Sequence, residues 1–381
     1  MSDFADTALA VTERMRALFP PTPLLRNDYL SRRYDADIWL KREDLTPVRS
    51  YKIRGAFNAM RKVLAEAPEQ KLFVAASAGN HAQGVAFACR HYGVKGVIFM
   101  PVTTPQQKIG KTRAFGGDAV EVRLTGDYFD DTLADLDGQA PDLVVLPVGG
   151  GGLASGMRVY LSGMAPQTEL TLVEPAGGAS LTAALAAGGP VTLDRVDSFV
   201  DGAAVARIGD LPFAHLGDVD PRRVLLAPED RLCTTMLEML NVEGIVLEPA
   251  GALSIDALAD LGDALRGRRV VCVTSGGNFD FERLPEVKER AQRYSGVKKY
   301  LILRLPQRPG ALRDFLDLLG PEDDIARFEY LKKSARNFGS VLIGIETLRP
   351  ENFAALFDRL QEADMIYRDI TNDAILAEFL I

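Results

Sequence analysis

Three times along this chain an apolar run ends in a turn made almost wholly of small residues. Leu143-Val-Val-Leu-Pro147 runs into Gly149-Gly150-Gly151-Gly152-Leu153, Leu72 to Ala76 runs into Ser77-Ala78-Gly79-Asn80-His81, and Arg269 to Val273 runs into Ser275-Gly276-Gly277-Asn278. A near-continuously apolar strand belongs in a parallel sheet buried on both faces, and parallel strands need crossover helices between them. The periodicity supplies these helices at Asn80 to Tyr92, Pro105 to Phe115, Leu153 to Ser162, Ser180 to Ala187, Pro228 to Leu240 and Pro249 to Leu265. Further strands fall at Ile38 to Lys41, Gly96 to Met100, Ala119 to Val122 and Glu169 to Val173. Gly188 to Arg223 is rich in Gly, Pro and Asp and carries no assignment. The pattern predicts an α/β fold with two parallel units. In open sheets of this kind ligands sit beyond the carboxyl ends of the strands, and a helix N-terminus with bare N–H groups attracts an anion.

At 381 residues two or three domains are expected, with 47% apolar and 25% charged residues. The net charge of −8 and the lack of Lys/Arg clusters argue against nucleic acid. No stretch is long and apolar enough for a bilayer, and the N-terminus has no basic or apolar leader pattern. Cys89, Cys233 and Cys272 show no metal-ligand spacing, which fits a reducing cytoplasm. From Val297 the order becomes β-α-β-β-α-β: Tyr300 to Leu305, Gly310 to Leu319, Ile325 to Leu331, Ser340 to Glu346, Asn352 to Ala363, Met365 to Ile370. That order is a ferredoxin-like module. The expected division is 1–296, with a small subdomain at about 45–140, and 297–381.

Lys52 sits in Arg49-Ser-Tyr-Lys-Ile-Arg-Gly-Ala56, where apolar residues at Ile53, Ala56, Phe57, Met60, Val63 and Leu64 follow helical spacing and Ser50 stands as N-cap. A helix's first turn disfavours a cation but suits an amine that must be neutral to attack a carbonyl, or that must face phosphate. The four-glycine run is a phosphate cradle. It lacks the Gly-Lys-Ser/Thr of a Walker loop and the Gly-x-Gly-x-x-Gly of a dinucleotide fold. A lysine, a phosphate cradle and a serine at a third strand end describe pyridoxal 5'-phosphate: aldehyde on Lys52, phosphate on the 149–152 amides, ring nitrogen at Ser275. The Ser77, Asn80, His81 cluster suits a carboxylate or an aromatic hydroxyl.

Ser-Tyr-Lys-Ile-Arg-Gly-Ala, Ser-Ala-Gly-Asn-His-Ala-Gln-Gly, Gly-Gly-Gly-Gly-Leu and Ser-Gly-Gly-Asn, in that order, resemble the fold-type II (tryptophan synthase β-like) pyridoxal-phosphate enzymes, the threonine and serine dehydratases above all. The resemblance implies Lys52 as Schiff-base lysine and proton carrier, with Tyr51 flanking the ring and Asn80 on the phenolic oxygen. It implies Gly149, Gly150, Gly151, Gly152 and Leu153 around the phosphate and Ser275 at the ring nitrogen. Ser77, Ala78, Gly79, Asn80 and His81 would hold the substrate carboxylate. Glu248-Pro249-Ala250-Gly251-Ala252 resembles a further family motif near the site, and reads equally well as a helix start. The tail, through Leu305-Pro-Gln-Arg-Pro-Gly-Ala-Leu-Arg313 and Asp324 to Lys333, resembles the single ACT-like regulatory domain of the short biosynthetic threonine dehydratases, where Tyr330 matches a tyrosine linked to effector binding.

The implied activity is deamination of L-threonine, with L-serine as a second candidate, to 2-oxobutyrate and ammonia. Isoleucine and valine are the implied effectors, and a homo-oligomer, dimer or tetramer, the implied assembly. A catabolic serine/threonine dehydratase or serine racemase, and a non-catalytic amino-acid sensor, are the alternatives. One departure stands out. Family members carry a His-Pro-Phe-Asp-like segment and a Gly-Gln-Gly-Thr-like turn between Gly126-Asp-Tyr-Phe-Asp130 and the strand before the glycine run, and here only Asp131 to Asp142 bridges the two.

Overall fold

A computed structural model describes residues 2–77, 79–100, 104, 106–124, 141–331 and 338–373. The chain divides into two units, Met1–Arg283 and Leu284–Ile381.

The first unit opens with α1 (Ser2–Arg16), β1 (Leu24–Arg26), α2 (Asp28–Tyr34) and β2 (Asp37–Arg42). The series α3 (Lys52–Glu66), β3 (Leu72–Ala76), α4 (Asn80–Tyr92), β4 (Lys95–Met100), α5 (Gln106–Gly116) and β5 (Val120–Leu124) follows. After it come β6 (Leu143–Pro147), α6 (Gly152–Met164), β7 (Glu169–Pro175), α7 (Ser180–Ala187), α8 (Asp210–Leu216), β8 (Val224–Ala227), α9 (Glu229–Glu243), α10 (Pro249–Asp256), α11 (Leu258–Leu261) and β9 (Arg269–Thr274).

The six-stranded sheet runs β1-β2-β9-β6-β7-β8, and a three-stranded sheet runs β3-β4-β5. All pairs are parallel except β1 with β2. β6 is buried along its whole length, as its unbroken apolar run requires. β9 lies between β2 and β6, so the segments that follow these three strands leave one edge of the sheet. Two cores result. Ile53, Phe57, Ala86, Cys89, Ile98 and Ile109 pack between α3, α4, α5 and the small sheet. Val144, Leu146, Leu153, Leu172, Leu181 and Val271 pack around the large one.

Three expectations are corrected. The helix at Pro249 does not run evenly to Leu265: α10 stops at Asp256 and two short turns follow, the last with Gly262 in the left-handed region. The small parallel sheet is not covered on both faces among the described residues, since Leu72 and Val74 on edge strand β3 are 48% and 63% exposed. Ser50 is not the N-cap of α3: Tyr51 holds that position without a side-chain cap bond, and the Ser50 hydroxyl lies 3.5 Å from the Lys52 amide.

The second unit contains α12 (Leu284–Tyr294), β10 (Lys298–Pro306), α13 (Ala311–Leu316), β11 (Asp323–Leu331), β12 (Phe338–Thr347), α14 (Asn352–Glu362) and β13 (Ile366–Asp369). Its antiparallel sheet runs β11-β12-β10-β13, the ferredoxin-like order, over a core of Leu301, Leu303, Phe315, Ile343, Leu356 and Leu360. Predicted helix Gly310 to Leu319 contracts to α13. α12 belongs with this unit because Lys298 reaches Glu289 on α12 at 2.6 Å and Glu346 on β12 at 3.0 Å.

Candidate active site

The turn before α3 is built by hydrogen bonds that leave it one shape. Thr46 Oγ1 donates to the Ser50 carbonyl and accepts from the Ser50 amide, both at 2.8 Å. Arg49 takes the left-handed conformation at φ 56°, and its carbonyl accepts from the Gly277 amide at 3.1 Å. Ser50 pairs with Gly276 in an isolated antiparallel bridge, and the Tyr51 amide donates to the Ser275 carbonyl at 3.3 Å. The lysine turn and the third small-residue turn, far apart in sequence, are thus one main-chain assembly. Lys52 follows as the first residue of α3, 6% exposed, its ammonium 5.5 Å from the Tyr51 ring centre. Two residues on, Arg54 donates to both Glu43 oxygens at 2.8 and 2.9 Å in a buried pair. Burial pushes the Glu43 carboxyl up, but Arg54 and Thr22 outweigh it and hold it below its ordinary value.

Asn80 opens α4 with Gly79 as N-cap, and the Gly79 amide donates to Ser77 Oγ at 3.2 Å. Gly84 lets α4 lie against the lysine turn: a Cβ there would stand 3.1 Å from the Lys52 carbonyl oxygen and 3.2 Å from Ile53 backbone. Asn80 Nδ2 donates to both oxygens of Glu248 at 2.7 and 2.9 Å, while Asn278 Nδ2 donates to Asn80 Oδ1 at 2.6 Å. Ser275 is 2% exposed and donates to the Ala250 carbonyl at 3.1 Å. His81 is partly buried beside Asn80, and Ala78 lies outside the described residues.

At the glycine run, Gly151 caps α6 at φ 88° with no side chain on the first-turn amides. A Cβ at Gly151 would fall 2.9 Å from Ile208 and Pro212, and one at Gly149 3.0 Å from Ala203. The Gly150 carbonyl accepts from Gly209. The segment 202–209 therefore backs the bend, and its other end, Gly202, lies beside Ala250 and Glu248. The geometry ties the Lys52 turn to Ser275 through the Tyr51 amide, links Asn80 to the same turn through Asn278, which also bonds the Val48 carbonyl, and places the glycine bend at the same sheet edge. These residues fit pyridoxal phosphate: a buried amine, a helix mouth whose amides have no side-chain cap, and a hydroxyl on the adjacent strand end. Among the described residues no cluster of metal-ligating side chains occurs.

Sequence reasoning left Glu248 out of the site, although it is both things its motif suggested: the N-cap of α10 and a neighbour of Asn80. Burial, then the Asp201 charge, pushes its carboxyl up to about 7 against the opposing pull of Asn80, Lys108 and Lys52. Gly276 makes room for it, since a Cβ there would sit 2.0 Å from Glu248 Oε1. Asn278 and Gln83, also unassigned from sequence beyond their motifs, bond each other at 3.3 Å.

A model of the pyridoxal-phosphate dependent enzymes matches residues 16–137 and 131–276, so the fold and the site define a member of that class. The C-terminal regulatory domain of threonine dehydratase matches residues 289–380. A biosynthetic L-threonine dehydratase of Bacillus subtilis is 45% identical over 94% of this chain and 93% of its own length. That of Halalkalibacterium halodurans is 42% identical over 94% and 95%. The processed form of threonine deaminase isoform 2 from Solanum lycopersicum superimposes with a TM-score of 0.63 at 34% identity, over 71% of this chain and 88% of that one. The chain belongs to the biosynthetic threonine dehydratase family. The two stretches matched by the enzyme model overlap at 131–137, within the short bridge Asp131 to Asp142.

Proposed function

We propose that this chain deaminates L-threonine to 2-oxobutyrate and ammonia, and that isoleucine bound to its second unit restrains the reaction. The observation that carries this reading is the pinning of the Lys52 turn to Ser275, which sets a buried amine beside the strand end suited to the cofactor ring. Bound pyridoxal phosphate supplies an aldehyde that condenses with amino groups and a conjugated ring that accepts the electron pair of a breaking Cα–H bond. The chain's own residues do the rest. Lys52 Nζ, 6% exposed at the head of α3, would hold the aldehyde and would serve as the base for the substrate's α-proton. The amides from Gly149 to Leu153 would bind the phosphate. Ser275, whose hydroxyl here donates to the Ala250 carbonyl, would stand beside the ring nitrogen as a neutral partner. The turn at Ser77 to His81 receives the substrate carboxylate. The hydroxyl that leaves Cβ as water is balanced by the water that returns at Cα as ammonia departs, so no oxidant is needed.

In the second unit a cavity of about 400 Å³ lies between the end of β10, α13 and β11, with Arg308, Arg313, Leu312, Leu316, Phe328 and Tyr330 around it. Guanidinium groups beside apolar walls suit an aliphatic amino acid. Tyr330 is 43% exposed, and its ring crosses Gly339, where a Cβ would sit 2.6 Å away. The working form is a homo-oligomer in the cytoplasm, with buried free cysteines in keeping with a reducing compartment. Lys52→Ala should abolish the visible band of the cofactor-loaded protein and the release of 2-oxobutyrate. Activity unchanged in that variant would overturn the assignment, and activity indifferent to isoleucine would favour a catabolic dehydratase.

A further inference from the structure

We propose that Glu248 is a positioning residue of the active site, its carboxylate fixing which way the Asn80 amide faces. An asparagine amide has two nearly isosteric orientations, and only its partners decide between them. Here both ends are decided. Asn278 Nδ2 donates into Asn80 Oδ1 at 2.6 Å, and the two Glu248 oxygens accept from Asn80 Nδ2 at 2.7 and 2.9 Å. A flipped amide would set donor against donor and acceptor against acceptor at once. Asn278 cannot turn to relieve this, because it also donates to the Val48 carbonyl at 2.8 Å and accepts from Lys111 at 3.4 Å.

Glu248 is equally confined. Its amide donates to the Gly276 carbonyl at 3.2 Å, its carboxylate fills the space that a Cβ at Gly276 would need, and it stands as N-cap of α10. The charges that act on it come from every neighbouring element: Lys52 on α3, Lys108 on α5, Asp201, which pairs with Lys108, and Lys111 on α5, itself influenced by Arg49 and Asp280. The donor edge of Asn80 is what a phenolate oxygen on the cofactor ring requires, so an ionised Glu248 presents that edge in advance. Protonation turns one of the two Glu248 oxygens into a donor, leaves Asn80 Nδ2 a single acceptor there, and so loosens the fixing. Burial beside Asp201 brings this change to about pH 7.

The proposal rests on the pyridoxal-phosphate reading, and its test separates the two. Glu248→Gln and Glu248→Asp are compared with the wild-type chain by pyridoxal phosphate titration of the stripped protein, by circular dichroism of the bound cofactor's visible band, and by kcat and KM across pH. The expected result for Glu248→Gln is cofactor binding weakened about fivefold or more and an altered visible dichroic band. Its kcat should fall about tenfold with little change in KM, and the acidic limb near neutrality should vanish. Glu248→Asp should recover part of each. Should Glu248→Gln not fold, Asn278→Ala removes the other half of the clamp and should alter the same dichroic band. A folded variant with wild-type dichroism, affinity and pH profile overturns the positioning role. A wild-type chain that takes up no pyridoxal phosphate overturns the cofactor reading, and this proposal with it.

Discussion

Glu248 also sets a term in the stability of the molecule, and its sign follows from its surroundings. Its carboxyl titrates near 7 when folded against an ordinary value of 4.5, so folding favours the protonated form. That contribution is whole below pH 4.5 and is lost as pH rises to about 7. Glu248→Gln has nothing to lose over that window. Relative to wild type it should gain about 3 kcal/mol between pH 4.5 and 8, read from urea unfolding at the two pH values. A difference independent of pH would mean that the carboxyl is ionised throughout. No feature of the sequence announced this residue as Asn80's partner, because the contact spans 168 positions and a Glu before Pro also starts helices on its own. The place of Lys52 in the first turn of a helix was legible for the opposite reason: its helical phase and the small residues around it are local patterns, each readable without the fold.

At the scale of elements, the approach of α3 and α4 depends on Gly84. An added methyl would press on the Lys52 and Ile53 backbone, which cannot step aside as a side chain could. Gly84→Ala should therefore cost about 1–3 kcal/mol and depress kcat by displacing the lysine turn, checked by thermal melts and steady-state rates. The exposed side chains on edge strand β3 give a different expectation. Leu72 and Val74 contribute little to the core that Phe73 and Ala75 join, so Leu72→Thr with Val74→Thr should leave stability within about 0.5 kcal/mol and reduce aggregation on storage, measured by light scattering. Strands with unbroken apolar runs, such as β6, were readable to the residue, as was α4. Those that failed are short or peripheral: β1 has three residues, and β8 is an edge strand after a long irregular stretch. Their existence is decided by the neighbour they pair with, which local composition does not encode.

For the whole molecule, separate cores predict separate melting. The core of Leu303, Phe315 and Ile343 shares no residue with those around Phe57 and Leu146, so urea unfolding should show two transitions. Isoleucine should raise the midpoint of the one belonging to the second unit. A single transition seen identically by every probe would refute this. The ferredoxin-like order was legible because its two βαβ halves alternate cleanly. The assignment of α12 was not, since the Lys298, Glu289 and Glu346 cluster that ties it down is a tertiary fact.

The central position of β9 has a bearing on how the protein is made. Asp37 pairs with Arg269 and Leu143 with Val270, so a strand near the end of the first unit inserts between two that were synthesised long before it. A nascent chain on the ribosome holds Lys52 early but has no Ser275 to dock it against. Docking of the lysine turn must await the final strand, and until then the flanks of β2 and β6 lack the partner that pairs them in the finished sheet.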